Sequence, residues 1–92
     1  MTSGTVTVVN PLGMHARAAA KFVHLATRFQ ARVRVARERR EIDGKSIMGI
    51  LLLAAPQGST ITISVDGADE QDALRALVTL VESGFSEDVC GA

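Results

Sequence analysis

The sequence predicts an α+β fold: a two-layer open-faced β-sandwich, whose four-stranded antiparallel sheet carries three helices on one face in the order βαββαβα. Three segments alternate apolar and polar residues with a period of two, and two longer segments place apolar residues at helical spacing. The chain has 92 residues, of which 47% are hydrophobic and 3% aromatic, enough for one domain with an aliphatic core. We expect a single domain over residues 1–92, with a polar tail at 86–92.

The predicted strands are the alternating segments Thr5–Val8, Arg32–Val35 and Thr60–Val65, together with a short strand at Arg39–Ile42. In each alternating segment the valine or isoleucine residues share one face, while threonine, serine or arginine residues occupy the other. This alternation indicates one buried and one solvated face of the sheet, which is typical of antiparallel pairing.

Two longer helices are predicted at Ala16–Phe29 and Glu70–Ser83, because each segment places its apolar residues on one face. Asp69 is a suitable N-cap for the second of these helices, and Gly84 can end it in the left-handed conformation. All helices must pack on the apolar face of the sheet, which leaves its other face open.

A short apolar segment, Ser46–Ala55, favours a helix over a strand, because Ser46 is a good N-cap and β-branched residues are few. Its large apolar residues cannot all face one core, so some must stay exposed, and an exposed apolar patch often marks a binding surface. These residues are Ile47, Met48, Ile50, Leu51, Leu52 and Leu53. For Leu51–Leu53, burial in the core is the favoured interpretation.

The formal net charge is zero, which argues against a general polyanion-binding protein. The charges are nevertheless uneven: residues 1–46 hold nine Lys or Arg and three acids, whereas residues 47–92 hold one and seven. A basic face that meets an acidic partner or an anion is one interpretation, and an ordinary solvated surface is the other.

The single cysteine, Cys90, excludes an internal disulfide and a zinc site with four cysteine ligands, and we expect a free thiol without function there. His15 and His24 lie nine residues apart with no ligand cluster nearby, so no metal site is predicted. The sequence shows neither a targeting segment nor a membrane span. We therefore expect a soluble cytoplasmic protein that does not insert into membranes.

The most informative segment is the loop Asn10–Gly13, followed by His15 at or near the N-cap of the first helix. The backbone N–H groups of Ala16, Arg17 and Ala18 have no partner within the helix, and with the helix dipole they form an anion site. The Arg17 guanidinium adds a charge that suits phosphate. These residue types suit a histidine that accepts and donates a phosphoryl group, although a surface or capping histidine stays an open alternative. His24, by contrast, is predicted to lie in the middle of the helix, off its apolar face, as a solvated residue.

Three motifs carry a resemblance to a known family. They are Gly13–Arg17 at the first helix, Gly44–Gly49 before the short helix and Gly67–Glu70 at the start of the last helix. In their order and spacing the chain resembles the histidine-containing phosphocarrier (HPr) family of the bacterial phosphotransferase system over nearly its whole length. The resemblance implies the open-faced sandwich fold, phosphorylation of His15 at Nδ1, and assistance by Arg17.

The resemblance also implies the partners. The phosphoryl donor would be Enzyme I, itself charged from phosphoenolpyruvate, and the acceptors would be IIA domains of permeases. The chain would be a carrier without cofactor and not an enzyme, and we expect a monomer, because a shuttle has to meet several partners. A carrier of a regulatory, nitrogen-branch phosphorelay is the alternative. Many members have proline where this chain has Ala18, and since that position lies in the first helical turn we expect function to survive.

Ser46 is a second candidate site, because the resemblance implies regulatory phosphorylation of this serine by the HPr kinase/phosphorylase. A phosphate at a helix start is electrostatically tolerated, so the modification is expected to act on partner docking and leave the fold intact. Helix capping alone is the other explanation of this serine. Ile47, Met48 and Leu51 are candidate docking residues, and Lys21 is expected to join a basic rim beside them.

RNA binding is an alternative from another functional class, because a basic strip runs along the second and third strands. It comprises Arg32, Arg34, Arg37, Arg39 and Arg40. Base stacking needs aromatic residues on the sheet, and the three phenylalanines lie elsewhere, so no nucleic-acid partner is predicted. A regulatory relative without a phosphoryl-accepting histidine is a further alternative, which the presence of His15 disfavours.

Overall fold

The computed structural model describes residues 1–85 and confirms the predicted order βαββαβα. The elements are β1 (Thr2–Thr7), α1 (Ala16–Ala26), β2 (Arg32–Arg37), β3 (Arg40–Asp43), α2 (Ile47–Leu53), β4 (Thr60–Asp66) and α3 (Glu70–Glu82). The predicted tail, residues 86–92, and Cys90 within it lie outside the described residues. No helix within residues 1–85 is both long enough and apolar enough to cross a bilayer.

The four strands form one antiparallel sheet in the order β1-β4-β2-β3. Alternate residues of β4 are buried, and Ile61, Ile63 and Val65 face the helices while the residues between them face outward. Arg32 and Arg34 of β2 point to the open face, as the alternation predicted, whereas Arg37 is half-buried and donates to the Leu53 carbonyl at 3.4 Å. The core is aliphatic except for Phe22 and Phe85, which are fully buried.

Helix α1 ends at Ala26, so the predicted end at Phe29 was wrong by three residues. The chain tightens there: the amide of Arg28 donates to the Leu25 carbonyl at 3.0 Å, and the amide of Phe29 donates to Ala26 at 3.2 Å. Phe29 still packs against the core from this turn, which is why the apolar spacing continues beyond the helix. His24 is exposed as predicted, but it lies in the last turn of α1.

Helix α3 ends in the left-handed glycine that the sequence predicted. Gly84 has φ +72, its amide donates to the Val81 carbonyl at 3.0 Å, and the Phe85 amide donates to Leu80 at 2.9 Å. These two bonds form a Schellman motif, which brings Phe85 back into the core. The Lys21 ammonium of α1 donates to the Phe85 carbonyl at 2.8 Å and so ties the end of α3 to α1.

Asp69 occupies the N-cap position of α3, but the expectation that its side chain caps the helix was wrong. Its carboxylate accepts from the amide of Gln30 at 2.8 Å and from that of Ala31 at 2.9 Å, in the connection between α1 and β2. The Gln30 amide, and then the Ala31 amide, hold the pKa of Asp69 below its usual value of 3.8. Asp69 therefore joins two segments that are distant in sequence.

We expect Asp69→Ala to lower the unfolding temperature more at pH 7 than at pH 3. A carboxylate with a lowered folded-state pKa stabilises the fold above its unfolded pKa, and this contribution disappears as the pH falls through the folded value. Asp72→Ala is the matched control, because Asp72 is an exposed acid in the first turn of the same helix. Circular dichroism melts from pH 3 to 7 measure the effect. Equal losses at both pH values, or equal losses in both variants, would contradict it.

Candidate functional site

The loop before α1 is fixed by hydrogen bonds at both of its ends. The Gly13 amide donates to the Asn10 carbonyl at 3.0 Å, and Asn10 Nδ2 donates back to the Gly13 carbonyl at 2.7 Å. The next residue, Met14, is buried and its amide donates to the Ala55 carbonyl at 2.9 Å, just beyond α2. His15 thus follows a loop whose backbone is held against the segment just after α2.

Gly13 allows the loop to approach this segment closely. It has φ +63, and a Cβ atom at this position would lie 2.5 Å from the Ala55 carbonyl oxygen and 2.9 Å from the Cα atom of Pro56. Real side chains do not fit at these distances, and the left-handed conformation is itself unfavourable for other residues. The glycine is therefore needed to position the loop.

His15 is the N-cap of α1, as the sequence predicted. Its backbone is extended, with φ −76 and ψ 179, and its carbonyl accepts the first helical bond from Ala19 at 2.8 Å. The Nδ1 atom accepts a hydrogen bond from the Arg17 amide at 3.1 Å. A ring nitrogen that accepts is unprotonated, so the neutral ring carries its proton on Nε2. The lone pair of Nδ1 is therefore directed toward the start of the helix, on a half-buried ring.

The start of α1 is electropositive. Its first turn contains no acidic residue. The amides of Ala16 and Ala18 lie in this turn, where the helix offers no carbonyl group for them to bind. Arg17 is exposed, and its guanidinium forms no salt bridge within residues 1–85. The structure thus brings together the predicted histidine, its three neighbouring amides and one arginine. Such an arrangement can bind an anionic group next to Nδ1 of His15.

Ser46 lies at the N-cap of α2, where its Oγ atom accepts from the Gly49 amide at 3.1 Å. Its own amide donates to the Asp43 carbonyl at 3.1 Å. The predicted capping role is confirmed. The half-buried serine lies directly before Ile47, which is exposed.

Helix α2 exposes most of its large apolar residues. We call the exposed set the α2 patch; it consists of Ile47 (44% exposed), Met48 (68%), Leu51 (36%) and Leu52 (59%). The predicted burial is confirmed for Leu53 but was wrong for Leu51 and Leu52. A helix of seven residues presents one narrow stripe to the core, and Ile50 and Leu53, three residues apart, fill that stripe.

Lys21 has a structural partner, the carbonyl of Phe85, so its ammonium is already engaged. Sequence reasoning missed this contact, because nothing local links residues 64 positions apart. It also missed the burial of Asn10, although an asparagine before proline with glycine three residues later is a recognisable turn signal. Within the described residues, no group of three or more potential ligands could hold a metal ion.

A family model described as "PTS HPr component phosphorylation site" matches residues 2–83. The chain belongs to the HPr family, the phosphocarrier proteins of the phosphotransferase system. The HPr of Cupriavidus necator is 47% identical over 87 residues, which cover 95% of this chain and 98% of that protein. The matched residues include His15 and the start of α1.

Solved HPr structures share the architecture. The crystal structure of HPr-C-His from Thermoanaerobacter tengcongensis superimposes with a TM-score of 0.92 at 40% identity, covering 97% of this chain and 100% of that one. The HPr dimer from the same organism gives a TM-score of 0.75 at 41% identity, covering 95% and 100%. Because the HPr of that organism has been crystallised as a dimer, the monomeric state expected for this chain stays a prediction.

Proposed function

We propose that this chain accepts a phosphoryl group on Nδ1 of His15 from Enzyme I, which is charged by phosphoenolpyruvate, and passes it to IIA domains of permeases. The observation that supports this most is the hydrogen bond from the Arg17 amide to Nδ1, since it aims a lone pair at the electropositive start of α1. We further propose that the carrier is cytoplasmic and acts without a cofactor. We propose a monomer, because one surface must meet several partners in turn.

The transfer needs no proton movement in the ring. The Nδ1 lone pair forms a bond to phosphorus while the bond between phosphorus and the donor atom breaks, and its electron pair returns to the donor. The Nε2 proton stays in place. Onward transfer reverses these events, because the N–P electron pair returns to Nδ1 as the acceptor atom bonds to phosphorus. His15 is thus a covalent carrier and not a catalyst of net turnover.

The start of α1 is suited to both states of His15. In the unphosphorylated state, the Arg17 amide donates to Nδ1 of His15. Once Nδ1 bears phosphorus it can no longer accept, and the amide becomes available to a phosphoryl oxygen, together with those of Ala16 and Ala18. The guanidinium of Arg17 adds charge-assisted donors. This exchange of acceptors stabilises the phosphorylated state without any change of fold.

We propose that the α2 patch is the docking surface for these partners. Helix α1 packs against α2, so the patch and His15 belong to neighbouring elements. The core is filled without the residues of the α2 patch, which stay exposed. Exposed apolar residues of this kind are suited to burial in an interface. Methionine adapts to differently shaped partners, which favours Met48 as the central contact.

We expect Met48→Asp to raise the KM of Enzyme I for this chain at least about tenfold, because a charge would be desolvated in the interface. Met48→Leu keeps an apolar side chain of similar volume and should leave KM within about twofold. Steady-state transfer assays with both variants measure this. An unchanged KM in Met48→Asp would show that docking occurs elsewhere.

For Ser46 we propose regulatory phosphorylation by the HPr kinase/phosphorylase. The hydroxyl is half-buried at the start of α2 and adjoins Ile47 and Met48. A phosphate there would place about two negative charges beside the α2 patch. Its effect would fall on docking, while the fold is retained.

Two substitutions of Ser46 separate capping from charge. Ser46→Ala should lower the free energy of unfolding by about 1 kcal/mol, because the Gly49 amide loses its acceptor, while partner affinity stays the same. Ser46→Asp can still cap the helix, so stability should be retained while transfer slows. Denaturant unfolding and transfer assays measure both quantities. Equal transfer rates in the two variants would contradict the regulatory proposal.

The proposed function is tested by incubating the chain with phosphoenolpyruvate, Mg²⁺ and Enzyme I, followed by mass spectrometry under non-acidic conditions. We expect the added mass of one phosphoryl group, which is lost on acid treatment and on addition of a IIA domain. Failure of the chain to gain phosphate beside a control HPr that does would overturn the proposal.

A further inference from the structure

Leu12 is an exposed leucine at the tip of the turn that precedes His15. The Gly13 amide closes this turn on the Asn10 carbonyl, which places Leu12 at the third of its four positions. Polar residues and glycine are usual at such positions, yet Leu12 is 67% exposed. The turn is made by the backbone and by the Asn10 side chain, so the fold does not require a leucine here.

Leu12 is one of several large apolar side chains that the fold leaves exposed. Within residues 1–85, seven large hydrophobic residues are exposed, of which four form the α2 patch and Leu12 is a fifth. The residues after Leu12 are held against the segment that follows α2, through the Met14 amide and the Ala55 carbonyl at 2.9 Å. The turn that carries Leu12 is therefore held close to the C-terminal end of α2.

A partner that reaches Nδ1 must also cover Leu12. An interface of standard size covers about 800 Å² on each protein, equivalent to a disc of about 16 Å radius. Residues three apart in sequence have Cα atoms at most about 11 Å apart, so Leu12 lies within this radius of His15. A phosphoryl donor centred on His15 therefore buries an exposed leucine close to the transferred group.

We infer that Leu12 is a specificity-determining residue, which meets an apolar surface on the phosphoryl-donating partner next to its phosphoryl-bearing residue. The inference rests on the proposed function, and it adds the chemistry of the donor's contact surface. A donor with a polar surface at this point would leave polar groups unpaired against Leu12 and would be disfavoured.

The test compares Leu12→Asn with Leu12→Met in steady-state transfer from the cognate phospho-Enzyme I. Loss of the apolar contact should raise KM about tenfold in Leu12→Asn, while kcat is unchanged because the contact is the same in the ground and transition states. Leu12→Met should retain the wild-type KM, and both variants should melt at the wild-type temperature, since the side chain is exposed.

An unchanged KM in Leu12→Asn would overturn the inference, as would an equal rise in both variants. A fall in kcat without a change in KM would also overturn it, because it would place Leu12 in the chemical step and not in docking. The wild-type chain alone tests the proposed function: if it accepts phosphate while Leu12→Asn behaves normally, only the inference fails.

Discussion

Replacing His15 by alanine should abolish phosphoryl acceptance, with a loss of at least about a thousandfold in transfer rate, because the variant has no nucleophile at the start of α1. The amides and the arginine that would surround the phosphoryl group remain, but they can only hold an anion and cannot form the N–P bond. The variant is incubated with Enzyme I and phosphoenolpyruvate, and mass spectrometry then measures how much acid-labile phosphate it carries.

The matched control is His24→Ala, because His24 is an exposed histidine on the same helix. It should accept phosphate at the wild-type rate. Loss of the His15 side chain also removes an N-cap acceptor, at a cost of about 1 kcal/mol, so the variant should still fold. Phosphate on His15→Ala, or its absence from His24→Ala, would contradict the assignment of the acceptor to His15.

The second large effect is expected from Gly13→Ala, which should destabilise the fold by about 2–4 kcal/mol. The new Cβ atom would enter the space of the Ala55 carbonyl, at φ +63. Relief requires the loop to move away from the segment after α2, and His15 would move with it. We therefore also expect at least a tenfold slower transfer at a temperature where the variant is still folded. Denaturant unfolding and transfer assays measure the two effects.

Gly58→Ala separates strain from steric clash. Gly58 also has a positive φ, +90, but a Cβ atom there would meet nothing within 4 Å. Its cost should therefore be the backbone strain alone, about 1–2 kcal/mol, without an effect on transfer. If Gly13→Ala were no more harmful than Gly58→Ala, close packing of the loop would not be what positions His15.

The elements of this fold were predictable because their signals are local. The alternation of Thr60–Val65 and the helical spacing of the last helix each need only neighbouring residues, and both are confirmed. The N-cap positions of His15 and Ser46 are likewise confirmed, since capping depends on the adjoining turn.

Two errors come from contacts between distant segments. Asp69 bonds to amides 38 and 39 positions away, and no pattern around it indicates that competition. The exposure of Leu51 and Leu52 depends on how much of α2 the sheet and α1 can cover, which is a property of the assembled core. Local sequence thus placed the candidate site, whereas the surface around it required the fold.

NMR of the phosphorylated, ¹⁵N-labelled chain would show directly which atom of His15 bears the phosphoryl group. We predict phosphorus coupled to Nδ1 of His15, a retained proton on Nε2, and a large shift of the Arg17 amide as its acceptor changes from the ring to the phosphoryl group. Phosphorus on Nε2 or on another residue, with the Arg17 amide unmoved, would contradict this prediction.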